Sequence, residues 1–315
     1  MMARYLVTGG AGFIGSNIVE ELVRRKAKVR VLDSFITGKM ENIKPFMGRI
    51  ELVKGDIRDK RALGKALKSI DFVIHQAALR SVPKSVDDPF TTNDINVFGT
   101  LNLLMAAKKA KVKRVVYASS SSVYGDAKTF PQRESDLTSP ISPYGVSKLA
   151  AENYCITFAK TFGLETVSLR YFNVFGPRQN PESKYSAVIP MFIFQMMKGK
   201  PPVVEWDGKQ ARDFTYVANV VEANLRACVT PGISGEVFNV ACGTSISVNE
   251  IVNELNEILG TDIKAIRAPK RRGDVRTTYA DISKMKSLLR PKKIVPFSEG
   301  LRLTIDWFLR SKRTG

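Results

Sequence analysis

Residues 4–15 read RYLVTGGAGFIG, an apolar run that breaks at once into glycines at positions 9, 12 and 15. A strand entering a glycine turn and then a helix brings backbone N–H groups and the positive end of a helix dipole together, an arrangement suited to a pyrophosphate. Gly9 is expected to make the tight turn, Gly12 to admit phosphate close to the backbone, and Gly15 to let helix pack on strand. Helical periodicity continues over 18–24, and 28–32 reads as a second strand ending in Asp33. An aspartate there accepts hydrogen bonds from an adenosine ribose diol and repels a 2′-phosphate, so the expected dinucleotide is NAD.

Further candidate strands at 50–53, 72–75, 114–118 and 165–170 alternate with helical patterns at 12–25, 60–67, 89–110 and 143–162. Such alternation predicts an α/β fold, a Rossmann-like doubly wound parallel sheet with helices on both faces. After Phe175 the rhythm breaks into a mixed region. Residues 217–228 read as a helix, 236–240 as a strand returning to the main sheet, and 248–259 and 298–309 as helices. The expected division is 1–174 with 213–243 as the dinucleotide domain, and 175–212 with 244–315 as a smaller mixed α/β lobe.

Composition narrows the class. With 315 residues, 44% of them hydrophobic, the chain can bury a large core. It has no apolar run near the ~20 residues that span a bilayer, and it enters its first strand without a signal-like segment. Cys155, Cys228 and Cys242 lack metal or disulfide spacing, so free thiols in a reducing cytoplasm are expected. A formal charge of +19 attracts polyanions, but its dense clusters (108–114, 264–276, 310–313) are short and carry no zinc-finger or RNA-recognition pattern. Solvated helix faces and attraction for an anionic nucleotide account for the charge without a nucleic-acid partner.

Two constellations carry chemistry. The strand at 114–118 runs into Ser119-Ser120-Ser121-Ser122 and then Val123-Tyr124-Gly125, placing hydroxyls at the carboxyl edge of the sheet, where ligands of open α/β sheets lie. Tyr144 and Lys148 stand four apart at a helix start and share a face. A nearby ammonium is expected to lower the tyrosine pKa and make Tyr144 a general base for an alcohol proton. His75, at a strand end, reads as a hydrogen-bonded structural residue with no proton-transfer role.

The segments TGGAGFIGSN, GDIRD, HQAA, ASSSSVYG, SPYGVSK, LRYFNVFGPRQ, ARDFTYV and RRGDVR, in this order, resemble the extended short-chain dehydrogenase/reductases, in particular the UDP-hexose and UDP-N-acetylhexosamine 4-epimerases. The resemblance covers essentially the whole chain. It implies that NAD is bound by Gly9, Gly12, Phe13, Ile14, Gly15 and Asp33, with Asp56 and Ile57 flanking adenine. Gln76, Ala77, Ala78, Asn96, Tyr144, Lys148 and Tyr171 would complete the cofactor site, with Ala77 and Ala78 on the nicotinamide side and Lys148 on its ribose. Catalysis would fall to Tyr144, Lys148 and Ser120. The UDP-sugar would meet Arg80, Ser120, Ser121, Ser122, Asn173, Ala187, Val188 and Thr278, with Arg212 and Arg271 on its diphosphate and Asp274 on its ribose. No metal is implied. Residues 89–110 and 143–162 would pair with their copies in a homodimer as a four-helix bundle.

The reaction turns on the serines. Dehydratases of this branch carry an acidic pair before Val-Tyr-Gly, where Ser121 and Ser122 stand here, and Asp33 opposes NADPH. Epimerisation at C4 through a 4-keto sugar is therefore expected, with Tyr144 taking the C4 hydroxyl proton and Ser120 assisting. Residues 180–192 and 299–308 are most similar to epimerases of UDP-N-acetylhexosamines. Thr278 stands where members restricted to non-acetylated sugars carry a bulky tyrosine. Arg80 and Trp206 replace residues that are commonly glycine in such enzymes. Arg80 keeps a uronate epimerase or decarboxylase open, and the charge keeps open a regulatory or RNA-binding protein on an NAD fold.

Overall fold

The computed structural model describes residues 2–180, 188–270 and 276–313. Seven strands make the central sheet: β1 (Arg4–Thr8), β2 (Lys28–Asp33), β3 (Ile50–Lys54), β4 (Phe72–His75), β5 (Arg114–Ser120), β6 (Glu165–Tyr171) and β7 (Val237–Val240). Their order is β7-β6-β5-β4-β1-β2-β3, and every neighbouring pair is parallel. The chain crosses from one half of the sheet to the other between β1 and β4. This is the switch point outside which open α/β sheets bind their ligands.

The strands are apolar because both faces are covered. On one face, helices Phe13–Arg24 and Val217–Val229 bury Ile18, Leu22, Val220 and Leu225 against Val7, Val31 and Val116. On the other, Lys60–Ala66, Gly99–Lys109 and Pro143–Phe162 bury Leu63, Leu103, Ala151 and Phe158 against Leu6, Val73 and Val115. β5, buried along its whole length, is the spine between the two cores.

One helix departs from its predicted course. The pattern at 89–110 is interrupted: Pro89–Asn93 and Gly99–Lys109 are α-helical, and Asp94–Phe98 forms a wide π turn. Apolar periodicity does not register such a local widening. The turn carries buried Asn96, whose Oδ1 accepts from Leu79 N (2.8 Å) while Nδ2 donates to Leu79 O (2.9 Å) and Ser147 Oγ (3.0 Å).

Beyond β6 the chain builds pairs of very short strands. Ala211–Arg212 lies between antiparallel Ile246–Ser247 and parallel Thr277–Thr278. Val174–Phe175 pairs with Thr215–Tyr216, and Val203–Glu205 with Ile266–Ala268. Phe175, Phe214, Tyr216 and Phe297 cluster with ring centroids 5.5–5.9 Å apart. They join the first core to Leu301, Ile305 and Phe308 of the terminal helix Phe297–Arg313. Helix Val188–Met196 was not legible in the pattern, because nearly every residue in it is apolar and no stripe stands out. No helix among the described residues is long and apolar enough to cross a membrane.

Candidate active site

An open cleft lies at the carboxyl ends of β1, β2 and β4. Gly9, Gly12, Phe13, Ile14, Gly15, Asp33, Asp56, Ile57, Gln76, Ala77, Ala78 and Arg80 all line it. Gly9 has φ +67°, and a Cβ on Gly15 would lie 2.2 Å from the Gly9 carbonyl oxygen. Those two glycines make the turn and the close helix approach. A Cβ on Gly12 would meet only the Gly9 oxygen, at 3.1 Å. Helix Phe13–Arg24 starts there without a side-chain cap. Its first-turn N–H groups and dipole therefore remain available to an anion at the cleft wall, and these residues fit a dinucleotide pyrophosphate.

Asp33 is buried, and its two oxygens accept from Ala11 N and Phe35 N, each at 2.8 Å. Burial raises its pKa against the opposing pull of those two donors. Ser34, Ile36, Thr37 and Gly38 also line the cleft and were missed from sequence. Their signal is Gly38, whose Cβ would lie 2.7 Å from Asp33 Oδ1. Asp56 faces the cleft with its charge already partnered by Arg58 at 2.7 Å, and its pKa is lowered accordingly.

Four expected cofactor residues, Asn96, Tyr144, Lys148 and Tyr171, do not line this cleft, and two of them support its wall. Asn96 acts on the cleft through Leu79, to whose backbone it is bonded. Tyr171 is buried with its hydroxyl 2.8 Å from Gln76 Nε2 and 2.8 Å from Asn224 Nδ2, so it steadies Gln76.

Tyr144 lies in the first turn of Pro143–Phe162, which Ser142 caps through Gly145 N at 3.1 Å. Its backbone N–H donates to Ser85 Oγ at 3.0 Å. Ser120 ends β5 with its hydroxyl beside the Tyr144 side chain, where it favours the phenolate. Ser120 Oγ also donates to Ser122 Oγ at 3.1 Å, inside the turn Ser121–Tyr124. Lys148 is buried, donates from Nζ to Ala118 O at 2.6 Å, and sits 4.8 Å from the Tyr117 ring centre.

This geometry corrects the expected electrostatics. Burial raises the Tyr144 pKa, opposed by the Ser120 hydroxyl and by the positive charge of Arg80. Lys148 is turned to a β5 carbonyl rather than to the phenol, and burial pulls its own pKa down to about 8. His75 is bracketed by Thr8 Oγ1 (2.7 Å) and Thr100 Oγ1 (3.0 Å), and burial pushes its pKa down to about 3. It is a neutral structural residue.

Arg212 and Thr278, outside the lining of this cleft, are register partners across the pair Ala211–Arg212 and Thr277–Thr278. Asp213 N donates to Thr278 O at 2.9 Å, and the buried Asp213 carboxylate accepts from Cys242 N and Gly243 N, with burial holding its pKa up near 6. Asn173 is exposed, with its carbonyl accepting from Thr215 N at 3.2 Å, and Val188 begins a helix. Ala187, Arg271 and Asp274 lie outside the described residues. Trp206 has φ +57°, which accounts for glycine being the common residue there. Its ring lies between Lys270 Nζ at 4.0 Å and the Arg276 guanidinium at 4.6 Å. Arg80 is exposed at the cleft rim beside Tyr144.

A family model described as the NAD dependent epimerase/dehydratase family matches residues 5–241. A Methanocaldococcus jannaschii protein named a putative UDP-glucose 4-epimerase is 40% identical over 312 residues, spanning 98% of this chain and 99% of that one. The UDP-N-acetyl-alpha-D-glucosaminuronate decarboxylase of Bacillus cytotoxicus is 34% identical over 320 residues, spanning 98% of each. Among solved structures, the UDP-N-acetylglucosamine 4-epimerase of Methanobrevibacter ruminantium in complex with UDP-N-acetylmuramic acid is 40% identical. Its TM-score is 0.93, with coverage of 99% of this chain and 100% of that one.

Proposed function

The chain belongs to the NAD dependent epimerase/dehydratase family and is an NAD-dependent enzyme; we propose that it is a UDP-sugar 4-epimerase that interconverts UDP-N-acetylglucosamine and UDP-N-acetylgalactosamine. The observation that carries this reading is the Ser120–Tyr144 pair at the end of β5, beside a cleft built for a dinucleotide and without a carboxylate at positions 121 and 122.

Tyr144 takes the proton of the C4 hydroxyl and gives it back to the C4 oxygen when the 4-keto sugar is reduced on its other face. The Ser120 hydroxyl and the Arg80 charge both favour the phenolate against the cost of burial. NAD would be held over the glycine turn, with Asp33 at its adenosine ribose and Lys148 at its nicotinamide ribose, and would supply a hydride acceptor regenerated within the cycle, so no outside oxidant would be consumed. Elimination of water from C6 would need an acid and a base that Ser121 and Ser122 do not provide.

Residues 1–174 with 213–243 serve the dinucleotide, and 175–212 with 244–315 the sugar nucleotide. Arg212 holds the diphosphate, joined by Arg271, while the small neighbouring Thr278 leaves room for a 2-acetamido group. Helices at 82–109 and 143–162 leave Val86, Phe90, Met105, Val146 and Tyr154 exposed, Phe90 at 87%. That apolar spread supports a homodimer through these helices.

Incubation with a panel of UDP-sugars and chromatography of the products tests the proposal. UDP-N-acetylglucosamine should give UDP-N-acetylgalactosamine at least as fast as UDP-glucose gives UDP-galactose. A second reading, action on a carboxylated sugar, is favoured by Arg80 at the rim beside Tyr144. In the same panel it would appear as turnover of UDP-glucuronate, by epimerisation or by loss of CO₂ to a UDP-pentose, with no reaction of N-acetylated sugars.

A further inference from the structure

Glu152 stands two turns beyond Tyr144 and one beyond Lys148 on the same buried face of Pro143–Phe162. Acidic residues are rarely fully buried, yet this carboxylate is 1% exposed. Its partners explain how it is tolerated. Arg170 on β6, itself 5% exposed, donates from NH2 at 2.7 Å and from Nε at 3.1 Å. Ser119 donates from Oγ at 2.5 Å. Arg170 in turn lies 4.7 Å from the Tyr124 ring centre, beneath the serine turn.

Three consecutive residues of β5 therefore meet three turns of one helix. Ala118 accepts from Lys148, Ser119 donates to Glu152, and Ser120 stands beside Tyr144. A one-residue slip of helix against strand would break all three contacts. In the proposed reaction Tyr144 and Ser120 handle the proton and Lys148 holds the nicotinamide ribose, so the Ser119–Glu152 contact needs a role of its own.

We propose that Glu152 is a positioning residue for the reaction: clamped by Arg170 and Ser119, it fixes the register of the Tyr144–Lys148 helix on β5 and places a buried negative charge one helical turn from the Lys148 ammonium. The inference rests on the epimerase reading for its kinetic consequence, while its structural part concerns the apoprotein and holoenzyme alike. The other titratable groups facing Lys148 are His75 on β4, Tyr117 on β5 and Cys155 on its own helix. Burial keeps all three neutral near pH 7. Glu152 is thus the anion that favours a charged Lys148 in a place where burial disfavours it.

The test is Glu152→Gln in the holoenzyme, with two readouts. The Lys148 titration is followed by NMR of its Cε carbon, assigned with Lys148→Arg, and the pH profile of kcat/KM is recorded on whichever UDP-sugar the wild type turns over. Removing the negative charge should lower the Lys148 midpoint by about one pH unit or more, and the alkaline limb of the profile should move with it. kcat should fall about tenfold with KM little changed, as misplacement of a reacting group predicts. Glu152→Asp, which restores the charge, should bring the midpoint back towards the wild-type value. An unmoved midpoint overturns the proposal whether or not the protein is an epimerase. A wild type inactive on all UDP-sugars would sink the epimerase reading alone. Should Glu152→Gln fail to fold, Ser119→Ala decides: it leaves both charges, so kcat should fall several-fold with the midpoint unmoved, and an unchanged kcat overturns the register role.

Discussion

The dinucleotide cleft and the region proposed for the sugar nucleotide are assembled in different ways. Between Gly9 and Gly38 the functional residues lie within one β–α–β unit, and backbone crowding dictates their identity, as the 2.2 Å gap between a Gly15 Cβ and the Gly9 oxygen illustrates. In the proposed sugar region, Arg212 and Thr278 come together through strands of two residues each, and Asp213 is held by backbone N–H groups of Cys242 and Gly243. The first side is specified by what cannot fit. The second is specified by long-range pairing, which leaves side-chain identity free to tune the substrate.

If that contrast holds, a change at the shared chemistry should be severe and indifferent to the sugar. Tyr144→Phe should cost roughly 10²–10⁴-fold in kcat on every UDP-sugar accepted, with KM close to wild type, because the alcohol keeps its proton. Steady-state kinetics on two sugars checks this, and near-normal kcat would remove Tyr144 from the reaction.

A change on the tunable side should be smaller and selective. Thr278→Tyr adds bulk beside Arg212 and should depress turnover of N-acetylated sugars by about ten- to two-hundred-fold, the usual cost of overpacking, while sparing 2-hydroxyl sugars. Equal losses on both would mean that position 278 does not gate the pocket.

The smallest effect belongs to the scaffold beneath the cofactor. His75 stays neutral in the fold down to about pH 3 but gains a proton in the unfolded chain below its ordinary pKa of 6.5. Its stabilising contribution is therefore complete above about pH 6.5 and is lost as pH falls, by about 1.4 kcal/mol per pH unit. Urea unfolding at pH 7 and pH 5.5 should show wild type losing about that much more than His75→Gln, whose amide can still reach Thr8 or Thr100. Equal losses would assign the acid sensitivity elsewhere.

The same contrast explains what the sequence disclosed. The six strands through residue 171 occur within two residues of their predicted ends, because apolar runs bounded by glycine, charge or helix starts mark buried parallel strands. The glycine turn, Asp33 and the Ser120–Tyr144 pair were legible for the same local reasons. The direction of Lys148 was not: spacing puts it on the face of Tyr144, but the Ala118 carbonyl and the buried Glu152 decide where the ammonium points. Asn96 and Tyr171 were placed on the cofactor by resemblance, and in the structure they bond to Leu79 and Gln76 of the cleft wall. The π turn at Asp94–Phe98 and the two-residue strands leave no periodic trace, so the region proposed for the sugar was readable only as scattered residues.

The central claim is that the hydrogen leaving C4 of the sugar returns to the same carbon while Tyr144 handles the proton. Turnover of UDP-N-acetylglucosamine carrying deuterium at C4, with mass spectrometry and NMR of the product, tests this most directly. The account predicts UDP-N-acetylgalactosamine with deuterium retained at C4 and no deuterium taken up from D₂O in the converse experiment. Exchange of the C4 hydrogen with solvent, or a product dehydrated at C6, would contradict it.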